Sequence, residues 1–108
     1  MSTERLNQIQ KMLETHSEDP FLHYASALEY EKLKHFAEAR DILANLLTKQ
    51  PDYLPTYYRL GQILEQIKNT EEAIETYQLG LKLAKSKGDF KSAGELTEAL
   101  MLLDVFDE

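Results

Sequence analysis

The stretch Tyr57-Tyr58-Arg59-Leu60-Gly61-Gln62-Ile63-Leu64, followed by Ala73-Ile74-Glu75-Thr76-Tyr77, decides the fold. Its large and small apolar residues recur every three or four positions, which is the helical period. Asn69-x2-Glu72 between the two runs is a capping-box-like helix start. A shift of 34 residues lays this stretch over an earlier one. Tyr58 then meets Tyr24, Glu65 meets Glu31, Lys68 meets Lys34, Glu72 meets Glu38, Ala73 meets Ala39 and Leu81 meets Leu47. Gly61 meets Ala27, Tyr57 meets His23 and Ile67 meets Leu33.

Working outward, the chain has 108 residues, 43% hydrophobic and 29% charged, enough for one domain with a real core. Four Gly and three Pro leave little room for the turns of an all-β fold. The absence of cysteine excludes a disulfide scaffold, a thiolate zinc site and a cysteine nucleophile. A net charge of −7 argues against phosphate-backbone binding, so no nucleic acid is expected as a partner. No run reaches a membrane span and the first residues lack an apolar leader segment, so no membrane partner and a cytoplasmic location are expected.

The periodicity predicts six helices, over residues 4–16, 20–33, 36–49, 55–67, 69–86 and 90–106. Ser2 or Thr3 is positioned to cap the first. Asp19-Pro20 is a start signal, an acceptor followed by the residue favoured in a first turn. Lys34-His35 and Gln50-Pro51-Asp52 read as turns. Gly88 is a stop and Asp89 the next cap. Small residues at Ala27, Ala39, Gly61 and Ala73 let antiparallel helices approach, and Tyr30, Leu43, Leu64 and Tyr77 fill the space between pairs.

Tyr57-x2-Leu60-Gly61-x2-Leu64 with Ala73-x3-Tyr77, and Ala27-x2-Tyr30 with Ala39-x3-Leu43 and Pro51, resemble the tetratricopeptide repeat (TPR) pattern. His23, Ser26 and Lys85 depart from it. The resemblance, to small stand-alone bacterial TPR proteins, implies an all-α fold, a right-handed superhelix of antiparallel helix pairs. It divides a single domain into an N-terminal capping half-unit (1–19), two units (20–53 and 54–87) and a C-terminal capping helix (88–108).

Signals for an enzyme are poor. There is no phosphate loop and no nucleophile elbow. His16, His23 and His35 lack ligand spacing, so neither a metal nor a cofactor is expected. Glu29/Glu31 and Glu71/Glu72 read as solvated faces and helix-dipole partners.

By resemblance, the first helix of each unit lines a concave groove for a peptide or protein segment. The matching positions are Phe21, Tyr24, Leu28 and Lys32, then Tyr58, Arg59, Gln62, Glu65 and Gln66. Many members of the family hold a peptide's terminal carboxylate with Lys, Asn and Arg. Tyr24, Leu28, Arg59, Lys91 and Glu95 stand at those positions; only Lys91 agrees, and Glu95 would repel a carboxylate. An apolar or mixed peptide suits this surface better. The alternative is a self-associating scaffold, a homodimer formed through Met101, Leu102, Val105 and Phe106 of the last helix. After Lys91 the chain carries Glu95, Glu98, Asp104, Asp107 and Glu108 with no Lys or Arg, so a basic partner suits that end.

Overall fold

The computed structural model describes residues 2–104. Among them are six α-helices and no strand: α1 (Ser2–Thr15), α2 (Pro20–Lys32), α3 (Phe36–Lys49), α4 (Pro55–Gln66), α5 (Thr70–Lys87) and α6 (Phe90–Asp104). The boundaries follow local chemistry. Asp19 Oδ1 accepts the Phe21 N–H at 2.9 Å, with Pro20 in the first turn of α2. Asn69 and Glu72 form the reciprocal cap of α5: Asn69 Oδ1 accepts the Glu72 N–H at 3.4 Å, and Asn69 Nδ2 donates to Glu72 Oε1 at 2.7 Å. Asp89 caps α6 by accepting from both the N–H and the hydroxyl of Ser92, at 3.1 and 2.8 Å. These two bonds hold the Asp89 carboxyl below the usual carboxylate range. The first helix corrects the expectation in detail. Ser2 and Thr3 are already helical, so neither stands outside α1 as its cap.

Three helices end in the same way. Lys34, Lys68 and Gly88 all adopt the left-handed conformation, with φ of 65°, 67° and 71°. At each, two crossed backbone bonds close the helix: His35 N to Tyr30 O with Lys34 N to Glu31 O, Asn69 N to Leu64 O with Lys68 N to Glu65 O, and Asp89 N to Ala84 O with Gly88 N to Lys85 O. This is the Schellman arrangement, which glycine enters without steric cost and lysine does not.

The chain forms two compact units, Met1–Thr56 and Tyr57–Glu108. In the first, α1 packs on α2 and α2 on α3. Leu6, Ile9, Leu22, Ala27, Ala39, Leu43 and Leu46 are buried there, each Leu or Ile contributing about 1.5–3 kcal/mol of apolar transfer. Glu29 is buried with them, 4% exposed. Its Oε2 lies 3.5 Å from Arg5 Nε of α1 and 3.2 Å from Lys32 Nζ. The expectation that Glu29 lies on a solvated face is therefore wrong: α1 covers that face and supplies a counter-charge. Tyr30 is half-buried rather than a full core residue; its ring lies 6.2 Å from that of His35.

In the second unit α4, α5 and α6 meet through glycines. A Cβ on Gly61 would come within 2.7 Å of three ring atoms of Tyr77, which is wholly buried. One on Gly80 would lie 2.5 Å from Tyr57 Cβ and 3.3 Å from Leu96 Cδ1. Gly61 thus seats the Tyr77 ring of α5 on α4, and Gly80 lets α5 approach both α4 and α6. Ile63, Leu64, Ala73, Ala84 and Ala93 complete the core. No helix among the described residues is long and apolar enough to cross a membrane.

Candidate functional site

Tyr58, Gln62 and Glu65 lie at helical spacing on one face of α4, and Glu95, Glu98, Ala99 and Leu102 at the same spacing on one face of α6. With Tyr77 of α5 these residues line a cavity of about 320 Å³ in the second unit. The volume is at the lower end of the range of small-ligand pockets, enough for one or two side chains of a partner.

Tyr77 stiffens this wall. Its hydroxyl donates to Glu65 Oε2 at 2.5 Å. Burial and then the bond to Glu65 push the phenol far above its ordinary value, so it stays a donor at any physiological pH. The ring of Tyr58 lies 6.1 Å from that of Tyr77, tilted by 45°. Three acidic side chains thus face one cavity, and among the described residues no Lys or Arg lines it. Glu95 and Glu98 are three apart on one helix, a like-charge spacing that costs a helix roughly 0.2–0.5 kcal/mol. Arg59 is the cation beside the cavity; its Nη1 donates to Gln62 Oε1 at 3.1 Å.

Of the nine residues expected to form a groove, Tyr58, Gln62 and Glu65 line this cavity, Arg59 braces it through Gln62, and Gln66 is exposed at the end of α4. In the first unit, Phe21 is 61% exposed in the first turn of α2. Tyr24 is half-buried, edge-on to Tyr53 with ring centres 6.1 Å apart. Burial raises the Tyr53 phenol, with Tyr24 and Asp19 adding to the shift. Leu28 is half-buried, and Lys32 directs its ammonium to Glu29. A smaller cavity of about 170 Å³ in this unit is lined by His23, Leu46, Lys49 and Gln50 among others. His23 Nε2 lies 2.7 Å from the Ser17 carbonyl, and Gln50 Nε2 donates to the Glu18 carbonyl at 2.8 Å, tying the α1–α2 turn to α2 and to the end of α3.

Of the residues expected to self-associate, Met101 and Leu102 are 59% and 64% exposed, and Leu102 also lines the larger cavity. Val105 and Phe106 lie outside the described residues. The sequence reading missed Glu98 and Ala99 as neighbours of α4, and read Tyr77 as core alone. The signal was the run 95, 98, 99, 102, a single helix face distinct from the packing stripe Ala93, Leu96, Leu100 and Leu103. No group of His, Cys, Asp or Glu suited to a metal ion occurs among the described residues.

Comparison with known proteins converges on one family. The sequence profile described as tetratricopeptide repeat matches residues 32–93. The crystal structure of a tetratricopeptide repeat domain protein from Salinibacter ruber is 36% identical, covering 80% of this chain and 96% of its own, with a TM-score of 0.76. The TPR2B domain of yeast Sti1, in a complex with pHsp70, is 19% identical over 95% of this chain and 82% of its own, with a TM-score of 0.87. The type III secretion translocator chaperone SycD from Yersinia enterocolitica, in an alternative dimer, is 13% identical over 99% and 82%, with a TM-score of 0.89. No curated protein matches the sequence.

Proposed function

The chain belongs to the tetratricopeptide repeat family, and on that premise we propose that it is a protein-interaction module that docks a peptide or protein segment in the cavity of its second unit. The observation that carries this reading is the convergence of two helix faces, 58/62/65 on α4 and 95/98/99/102 on α6, over the Tyr77 floor. Tyr58 gives the site a large ring with a polar end, the kind of group that anchors interfaces. Leu102 gives it exposed apolar area. The yeast Sti1 domain in its complex with pHsp70 supports a docking role for this fold. Phe21, with most of its ring in solvent, offers a further contact in the first unit.

The test is capture of partners on the immobilised full chain, set against a Tyr58→Ala, Leu102→Ala variant whose helicity is checked by circular dichroism. Proteins retained by the wild type should be lost from the variant. Equal recovery on both defeats the assignment to this cavity.

A second reading, self-association through α6, is favoured by the exposed Met101 and Leu102. The dimer of SycD gives it a parallel in the same fold. Sedimentation velocity over a concentration series separates the two readings. A single monomeric species at the highest concentration removes the homodimer.

A further inference from the structure

We propose that the cavity of the second unit is a receptor for a cationic side chain, so that the segment it docks presents an arginine or lysine there. The proposal rests on the docking role given above and specifies its chemistry. It also reverses the sign of a carboxylate-holding groove, since the groups that would meet the ligand are themselves acidic.

Three features carry it. The first is charge. Glu65 from α4 and Glu95 and Glu98 from α6 face one concave space that, among the described residues, no Lys or Arg lines. Glu95 and Glu98 make no ion pair among the described residues. An incoming cation relieves the repulsion between them and gains from several carboxyl groups at once. The second is order. The Tyr77 hydroxyl binds one Glu65 oxygen and fixes the carboxyl before any ligand arrives; its other oxygen makes no hydrogen bond among the described residues. A group held in place in advance loses less freedom on binding. The third is shape. The Tyr58 ring forms one wall, and a guanidinium or ammonium over an aromatic face is attracted to it. Leu102 and Ala99 give the aliphatic stem of the same side chain an apolar surface. A volume of about 320 Å³ accommodates one such side chain with a neighbouring residue.

The competing cation is Arg59. Its guanidinium is directed to Gln62 Oε1 at the edge of the cavity. It holds Gln62 at that edge, and Arg59 is not among the described residues that line the space beside Glu65, Glu95 and Glu98.

The experiment is a chemical-shift titration of the isotope-labelled full chain at neutral pH. Three acetylated, amidated heptapeptides serve as probes, each with leucines flanking two central residues: arginine, its neutral isostere citrulline, or glutamate. The arginine peptide should move the amide signals of Tyr58, Glu95, Glu98 and Leu102 and should bind about fivefold more tightly than the citrulline peptide. The glutamate peptide should not move them. Added salt should weaken the arginine peptide alone. In the Glu95→Gln, Glu98→Gln variant, which keeps the size and shape of the wall and leaves Glu65 in place, the preference for the arginine over the citrulline peptide should shrink to about twofold or less. Equal binding of arginine and citrulline peptides at the wild-type cavity overturns the cationic preference and leaves the docking site standing. If no peptide moves the cavity signals, or if only signals elsewhere move, the cavity fails as a docking site and the cationic preference fails with it.

Discussion

Where α2 and α3 bury Ala27 and Leu43, the equivalent positions of α4 and α5 hold Gly61 and Tyr77, and all four are packed inside. The methyl group present at Ala27 is missing at Gly61, where the Tyr77 ring occupies its place. A second pair of positions differs in the same manner. His23 and Leu46 line a cavity in the first unit, whereas Tyr57 and Gly80 are in direct contact in the second. The two hairpins therefore share a backbone pattern and small-residue sites, but each distributes side-chain size between facing helices in its own way. The difference reaches the functional surface. Tyr77 carries a hydroxyl to Glu65, and Leu43, at the matching place, carries none to Glu31. The second hairpin thus acquires an ordered carboxyl at its cavity.

The comparison can be broken most severely at Gly80. Gly80→Ala sets a methyl against Tyr57 Cβ, which no rotation of the ring can move. It should cost about 3 kcal/mol in urea unfolding, well above the roughly 1 kcal/mol that alanine gains over glycine as a helix former. A variant as stable as the wild type would show that the two helices separate freely.

Gly61→Ala should cost about 1–3 kcal/mol, because Tyr77 must leave its seat. Adding Tyr77→Leu imposes the Ala–Leu pairing of the first hairpin and should recover most of that loss. A double mutant no better than the sum of the singles would end the idea that the two positions are coupled.

Glu29 offers a milder contrast, since Ile63 stands at its place in the second unit. Its cationic partners are largely exposed, so the pairs carry little net energy. Glu29→Ile should leave thermal stability unchanged or raise it by up to about 1 kcal/mol. A clear loss would mean that Arg5 needs this carboxylate to seat α1.

At the left-handed turns, Lys34→Gly and Lys68→Gly should each stabilise by about 0.5 kcal/mol, the relief of strain outweighing the greater freedom of unfolded glycine. Gly88→Lys, the reverse exchange at the third such turn, should cost a similar amount. Opposite signs in either direction would separate the three turns that the backbone makes alike.

The smallest effect concerns acid. The folded-state value of Asp89 is lowered by its bonds to Ser92, so the stability it adds is fully present above the ordinary carboxylate value of about 3.9. That stability is lost as pH falls through the lowered value. Asp89→Asn should flatten the fall of Tm over that acid range, read by circular dichroism melts. An unchanged acid limb would remove Asp89 from it.

The sequence by itself determined the six helices, the N-terminal caps of α2, α5 and α6, the glycine stop of α5 and four of the small-residue sites, because these depend on neighbours within a turn or two of the chain or on the repeat. Asp19, Asn69, Asp89 and Gly88 act on backbone groups up to four residues away, and Ala27, Ala39, Gly61 and Ala73 are set by the repeat. It also supplied three of the cavity residues on α4 and the acidity of the chain's end, as separate facts. Only the tertiary structure joined them. Periodicity within α6 separates its faces but does not say which helix each face meets, and more than thirty residues lie between Glu65 or Tyr58 and Glu98. The burial of Glu29 was hidden for the same reason, since its environment is set by α1, a helix that its own local sequence does not mention. Glutamate pairs read as solvated until a packed neighbour covers one of them, and the charges of Glu95 and Glu98 read as part of an acidic end until the fold sets them at a cavity.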